Sequence, residues 1–220
     1  MNFLIDSGGA ISADDYDVGK NTLLPYLIDR KVYKIDYIIV SHFDADHCRA
    51  FLHVMKYIKV KNAIIAKQFK NSKMYSEFIR IANKKKINVI YVKENDYFQF
   101  NDFRIDIYNP NDEPIMENVM NNNAILNMLR FGKINILCTG DLEKIAEDGI
   151  IARYSKYLLY QVFFIYLCPS FFFSSSDSSS VTYNNFKRPS AKFIFSFSCL
   201  LQLLQCIISV FFKSCNNSIH

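Results

Sequence analysis

Tryptophan is absent from this 220-residue chain, and glycine and proline are scarce, at six and five. That scarcity excludes collagen-like and low-complexity architectures, which need both in bulk. Six cysteines are present, but none forms a Cys-x-x-Cys pair, so neither a disulfide framework nor a zinc ribbon is indicated. Cys48 and Cys138 lie in apolar contexts and read as small buried residues. The start, Met-Asn-Phe-Leu-Ile-Asp, lacks a basic region and a long apolar core. It therefore carries no signal peptide and is cytoplasmic in character, or it is internal to a longer protein. The net charge of +5 is mild, and no dense lysine–arginine cluster with interleaved aromatics appears, so charge alone does not call for a polyanionic partner. Lys84-Lys85-Lys86 reads as an exposed helix end, where cations suit the helix dipole.

Acidic residues are also nearly missing from one part of the chain. All six glycines and all six glutamates precede Ser155, and after it Asp177 is the sole acidic residue. The composition therefore divides the chain into an alternating α/β unit, residues 1–154, and an atypical Phe-, Ser- and Leu-rich tail, residues 155–220.

Within the first part, 2–5 reads as a short strand ending in the turn Asp6-Ser7-Gly8-Gly9, whose glycines are free to take positive φ. A helix is expected from Asn21 or Thr22 as cap, with Pro25 tolerated in its first turn. Residues 36–40 form a buried strand, and the helix after Asp46 presents Ala50, Phe51, Val54 and Tyr57-Ile58 on one face. A strand at 63–66, a helix at 72–85 and a strand at 87–92 complete the alternating pattern. Hairpins follow, 97–100 with 103–108 around Asn101-Asp102, and 124–129 with 134–137 around Phe131-Gly132-Lys133. The turn Thr139-Gly140-Asp141 leads into a last helix at about 142–154. Strands interleaved with helices and then hairpins suggest stacked sheets with helices outside.

The chemistry concentrates in Ser41-His42-Phe43-Asp44-Ala45-Asp46-His47-Cys48, directly after the apolar run Tyr37-Ile38-Ile39-Val40. Two imidazoles and two carboxylates within six residues, at the end of a buried strand, are held by rigid backbone on both sides. The plainer reading is a polar turn in which Asp44 or Asp46 caps the next helix. Asp6 and Asp141 also stand at strand ends, and loops at one edge of layered sheets converge on a common site. Imidazole and carboxylate together suit zinc, manganese or iron. Asp141 alone fits a helix cap; beside the histidine cluster it fits a metal ligand. His53 reads as a partly exposed helical residue.

Three segments carry a family resemblance: Leu4-Ile5-Asp6-Ser7-Gly8-Gly9, His42-Phe43-Asp44-Ala45-Asp46-His47 and Thr139-Gly140-Asp141-Leu142-Glu143. They resemble the metallo-β-lactamase superfamily, and most of all the hydrolase-like domain of the ComEC family of competence proteins, which take up DNA. Asp44 marks that branch, as do Pro25-Tyr26-Leu27, Lys34-Ile35-Asp36 and the run Asn121-Asn122-Asn123-Ala124-Ile125-Leu126. The resemblance spans residues 2 to about 154. It implies an α/β fold, a metallo-β-lactamase-like αβ/βα sandwich, incomplete here, with an irregular or helical C-terminal tail. It also implies up to two divalent ions, zinc or manganese. His42 and Asp44 would hold one, Asp46 and His47 the other, and Asp141 would bridge them. Asn123 stands where the wider superfamily places a third metal histidine, and Asp6 would steady the cluster loop. Asp46 would alternatively orient the attacking water as catalytic base.

By the same resemblance the function is metal-dependent hydrolysis of a phosphodiester of DNA, linked to uptake, at a membrane-associated location. The alternative is a membrane-tethered binding or structural module that keeps the fold without catalysis. Two features depart from the family: the strands that usually precede Leu4-Ile5-Asp6, and the His-His-Gly-Ser-like motif that closes the site some way after Thr-Gly-Asp. In the tail, 193–212 is twenty residues without a charge, flanked by Lys192 and Lys213, long enough for a membrane helix. Tyr157 to Phe173 is a weaker candidate, interrupted by Pro169. The tail also has the composition that an A/T-rich gene gives when read out of frame, so a frame disruption is the leading expectation for it, ahead of a membrane tail.

Overall fold

In the computed structural model, residues 1–9, 16–70, 72–101, 103–132, 134–158 and 163–164 are described. Two sheets stack face to face. The first has the order β1 (Phe3–Ile5), β2 (Lys34–Val40), β3 (Lys59–Ala66), β4 (Asn88–Val92), with every neighbouring pair parallel. Its crossovers carry α1 (Leu24–Asp29), α2 (Ala45–Tyr57) and α3 (Lys73–Lys85). The second sheet is an antiparallel meander of β5 (Tyr97–Phe100), β6 (Phe103–Asn109), β7 (Leu126–Phe131) and β8 (Ile134–Cys138), to which β9 (Phe163–Phe164) adds in parallel beside β8. The short α4 (Val119–Asn122) and α5 (Lys144–Leu158) belong to this half. Both the last turn of α5 and β9 lie beyond residue 154, where the composition turns. The remaining tail expectations, a membrane helix or a disrupted frame, fall outside the described residues. Among the described residues no helix is long and apolar enough to cross a membrane.

Three apolar clusters explain the layering. Leu23, Leu27, Ile38, Val40, Phe51, Val54, Met55, Phe78 and Ile81 fill the space between the first sheet and its helices. Phe3, Ile5, Ile39, Ile64, Val92, Ile105, Ile107, Ile125 and Leu129 fill the space between the sheets. Leu126, Met128, Leu137, Ala146 and Ile150 join the second sheet to α5. Successive residues of β2 thus alternate between two cores, because strand side chains point to opposite faces and both faces are covered. The result is the expected αβ/βα sandwich.

Local differences have local causes. Asn21 and Thr22 do not cap a helix. A π-helical turn, Gly19–Leu23, already precedes α1, and Leu24 N–H reaches back to Gly19 O. Pro25, lacking an N–H, sits where the pitch tightens to α-helical. Gly19 fits against α2, since a Cβ there would lie 2.7 Å from His53 Cβ and 2.8 Å from Ala50 O. On α2 the inward face continues through Met55, whereas Tyr57, in the last turn, is 68% exposed and stacks beside His53. His53 itself is 3.6 Å from Asp17.

Candidate metal centre

Because β1, β2 and β3 run parallel, their C-terminal ends share one edge. Asp6 follows β1 there and Ser41–His42 follow β2. Asp6 takes a left-handed conformation, φ 50°, which aspartate tolerates better than most residues. That turn aims its carboxylate back over the cluster. Asp6 Oδ1 accepts from Ser41 N (2.8 Å), and Oδ2 accepts from Ser41 Oγ (2.7 Å) and lies 2.8 Å from His47 Nδ1. Ser7 fastens the same turn to α2: its N–H donates to His47 O (2.7 Å), and its hydroxyl accepts from Phe51 N (3.0 Å). Gly9 passes so close to α2 that a Cβ would strike Ala45 O and Arg49 Cβ.

Each histidine is oriented through its Nδ1 atom. His42 Nδ1 is 3.0 Å from Ser41 Oγ, and His47 Nδ1 is held by Asp6. Both rings are buried, at 2% and 3% exposure, with centroids 4.2 Å apart. Fixing Nδ1 in this way selects the tautomer whose Nε2 is free to ligate.

The third strand end comes from the other sheet. Ile125 N donates to Ser41 O (2.8 Å), joining β2 to the segment before β7. Gly140, at φ 57°, packs on Ser41, where a Cβ would sit 3.1 Å from Ser41 Cβ. This close approach carries Asp141 to the histidines, with its Oδ1 3.1 Å from His47 Nε2. The contact is not aligned for a hydrogen bond. His42 Nε2, His47 Nε2 and Asp141 Oδ1 are all buried without a hydrogen-bond partner. His42, His47 and Asp141 offer ligand atoms that all lie within 4.8 Å of one another. Three buried polar atoms without a hydrogen bond in one spot carry a desolvation cost that a bound cation would offset. The donor set therefore fits a divalent ion.

Asp44 and Asp46 flank the same atoms. Asp44 Oδ2 is 3.6 Å from His42 Nε2, and Asp46 Oδ2 is 3.9 Å from His47 Nε2. Asp44 occupies the N-cap position of α2 with extended backbone, yet its side chain makes no cap hydrogen bond. Asp141 is likewise no cap, because α5 begins only at Lys144. In both places the plainer reading from sequence gives way to the site. Asn123 is not brought to the group. Its Oδ1 accepts from Ile115 N (3.0 Å), and its Nδ2 donates to Ile115 O and Val119 O (2.7 Å each). That amide is spent on bracing its own loop.

The neighbouring asparagine has a role that the sequence did not single out. Asn122, fully buried, accepts from Glu143 N (3.1 Å) and donates to Glu143 Oε2 (3.2 Å), while Asn118 donates to Glu143 Oε1 (2.5 Å). The asparagine run thus grips the loop that presents Asp141. The repeated asparagines opposite a Thr-Gly-Asp-Leu-Glu turn were the available signal.

Charge follows the geometry. Burial opposes the imidazolium of His47, but the Asp141 and Asp6 carboxylates outweigh it and push the group up to about 11. Burial likewise opposes the Asp6 carboxylate, and His47, Ser41 and His42 together hold it below the usual range. The His42 ring beside Asp44 lowers that carboxyl too. Burial, with Asp6 nearby, raises Cys48 well above the thiol range and Cys138 to about 12, so both stay neutral and neither supplies a thiolate.

The sequence matches the Metallo-beta-lactamase superfamily over residues 2–195. It is 26% identical over 158 residues to ComE operon protein 3 of Bacillus subtilis (strain 168), covering 67% of this chain and 20% of that protein. The chain thus matches a fifth of that relative's length. Among solved structures it is similar to the metallo-beta-lactamase fold protein YhfI from Bacillus subtilis, with 15% identity and a TM-score of 0.39 over 63% of this chain and 49% of that one. It is also similar to CmlA, a diiron beta-hydroxylase from Streptomyces venezuelae, with 13% identity and a TM-score of 0.36 over 50% of this chain and 20% of that one. With two stacked sheets flanked by helices, a histidine–aspartate centre at the shared strand edge and a family match over most of its length, this chain belongs to the metallo-beta-lactamase superfamily.

Proposed function

We propose that the chain is a metal-dependent hydrolase of the ComEC type, acting on phosphodiester bonds of DNA. The observation that carries the metal dependence is the convergence of three buried ligand atoms that make no hydrogen bond, His42 Nε2, His47 Nε2 and Asp141 Oδ1. His42 with Asp44 would hold one ion and His47 with Asp46 a second, with Asp141 between them. Zinc and manganese both suit this mixture of imidazole and carboxylate. Bound divalent ions would acidify a water and offset negative charge on the phosphodiester oxygens.

The chain's own residues set up that chemistry. Asp6 keeps His47 turned with Nε2 inward, and Ser41 does the same for His42. Alternatively Asp46, less buried than the histidines, would leave the second ion to His47 and Asp141 and act as the base that orients the attacking water. The Gly140 turn and the Asn122–Glu143 grip hold Asp141 against the histidines.

The DNA assignment draws on the resemblance of the sequence motifs to the ComEC family and is the finer part of the reading. The test is metal analysis of the purified chain, joined to cleavage of linear DNA with and without a chelator. Bound zinc or manganese and chelator-sensitive cleavage are expected. A chain that binds no metal and cleaves no phosphodiester would overturn the reading and leave a non-catalytic module.

A further inference from the structure

The centre is rich in negative charge, with Asp6, Asp44, Asp46 and Asp141 around two imidazoles. A polyanionic strand approaching such a mouth needs positive charge beside it, since like charges repel over several ångströms even in partly exposed settings.

The fold places that charge on one loop. β3 ends at Ala66, on the same edge as the His42–His47 cluster, and Lys67-Gln68-Phe69-Lys70 follows directly. Gln68 Nε2 donates to Ala66 O (3.0 Å), which folds the loop back on its strand. Lys67 Nζ lies 5.6 Å from the centre of the Phe69 ring. Both lysines are exposed. Among the described residues neither stands at ion-pair distance from a carboxylate.

Two other sets of cations are badly placed or already engaged. Lys93, at the end of β4, is paired with Asp112 at 2.8 Å. The run Lys84-Lys85-Lys86 comes just before β4 begins, so it lies at the opposite edge of the sheet, and Lys85 Nζ donates there to Lys56 O (2.6 Å).

We propose that Lys67 and Lys70 form a phosphate clamp that seats a nucleic-acid strand across the His42–His47–Asp141 centre, each contacting a backbone phosphate beside the scissile one. The clamp rests on the phosphodiester reading and adds its substrate contacts. Backbone contacts of this kind fix a strand's position without reading its sequence, and they respond steeply to salt.

The test uses the manganese-loaded full chain and a short labelled single-stranded DNA oligonucleotide. Anisotropy is followed across a salt series, with metal content measured in parallel. In the double variant Lys67→Gln/Lys70→Gln, the salt slope should become shallower by about 1.4, at roughly 0.7 per lost phosphate contact on a single strand, with affinity falling tenfold or more. Metal content should not change. The control Lys59→Gln/Lys84→Gln removes equal charge from the opposite edge and should keep the wild-type slope. An unchanged slope in the first variant, with wild-type binding intact, overturns the clamp and leaves the hydrolase reading standing. Wild-type chain that neither binds DNA in a salt-dependent way nor cleaves it overturns both. Salt sensitivity lost equally in the control also overturns the clamp, because the charge then acts without regard to place.

Discussion

His47 Nδ1 lies 2.8 Å from Asp6 Oδ2, joining residues 41 positions apart, one just after β1 and the other in the first turn of α2. The same carboxylate oxygen accepts the Ser41 hydroxyl at 2.7 Å. One carboxylate therefore sets the ring of His47 and the backbone from which His42 projects. Partners of this sort typically govern 10- to 100-fold in metal affinity. Asp6→Ala should lower zinc affinity by about that factor in competition with a chromophoric chelator, and Asp6→Asn should lose less. Equal affinities in all three proteins would show that Asp6 does not position the centre.

The same pair makes the metal-free chain pH-dependent. His47 titrates at about 11 in the folded chain against 6.5 ordinarily. A raised folded pKa means that folding favours the protonated ring. Its contribution is full below 6.5, shrinks as pH climbs while only the unfolded chain sheds the proton, and is gone once pH passes 11. Asp6, held below its ordinary 3.8, contributes fully above that value and loses its contribution as pH falls through the lowered pKa. Chelated protein should therefore unfold at lower urea concentration near pH 9 than near pH 6. Zinc should flatten that difference, because an ion that binds at Nε2 takes the place of the proton. A rising midpoint between the two conditions would contradict the coupling.

Removing a ligand should separate metal loss from unfolding. His42→Ala and Asp141→Ala each delete one of the three buried atoms without a hydrogen bond, so the fold should persist while stoichiometric metal and any DNA cleavage disappear. Circular dichroism with metal analysis checks both. Activity that survives in either variant would mean the centre lies elsewhere.

Gly140→Ala tests the junction between the sheets. The position has φ 57°, and a Cβ would press on Ser41 Cβ and Oγ at 3.1 and 3.2 Å. Strain at a left-handed position plus that contact should cost about 1–3 kcal/mol in urea unfolding, with weaker metal binding because Asp141 is pushed from His47. Gly132→Ala is the comparison. It shares a positive φ of 54° but has nothing within 4 Å of the added Cβ, so it should cost stability and leave metal binding unchanged.

Much of this was legible because it is local. Apolar β-branched runs predict strands wherever they stand, and β2, β3 and the β5–β6 and β7–β8 hairpins lie where those runs are. The cluster His42–His47 reads as a site because four candidate ligands, two imidazoles and two carboxylates, crowd one strand end. Elsewhere local propensity had a tertiary competitor. Asp44 has the residue type and backbone of a helix cap, but His42 draws its side chain away. Asn123 stands in a ligand's sequence position, yet its amide is consumed by Ile115 and Val119. Tyr57 fits the apolar face by period, but the last turn of α2 exposes it.

The sequence by itself determined the strand–helix order, the ligand types and the strand ends that bear them, because each depends on neighbours a few residues away. Only the tertiary structure decided which of those ligands meet. Asp141 reaches His47 from the second sheet because Gly140 has no Cβ to hold it off Ser41, and because Asn122 grips Glu143. It also decided which lysines share the site's edge, since parallel strands put Lys67 and Lys70 at that edge and Lys84-Lys85-Lys86 at the other. Those outcomes depend on distances between residues far apart in the chain, and packing of the two sheets sets them.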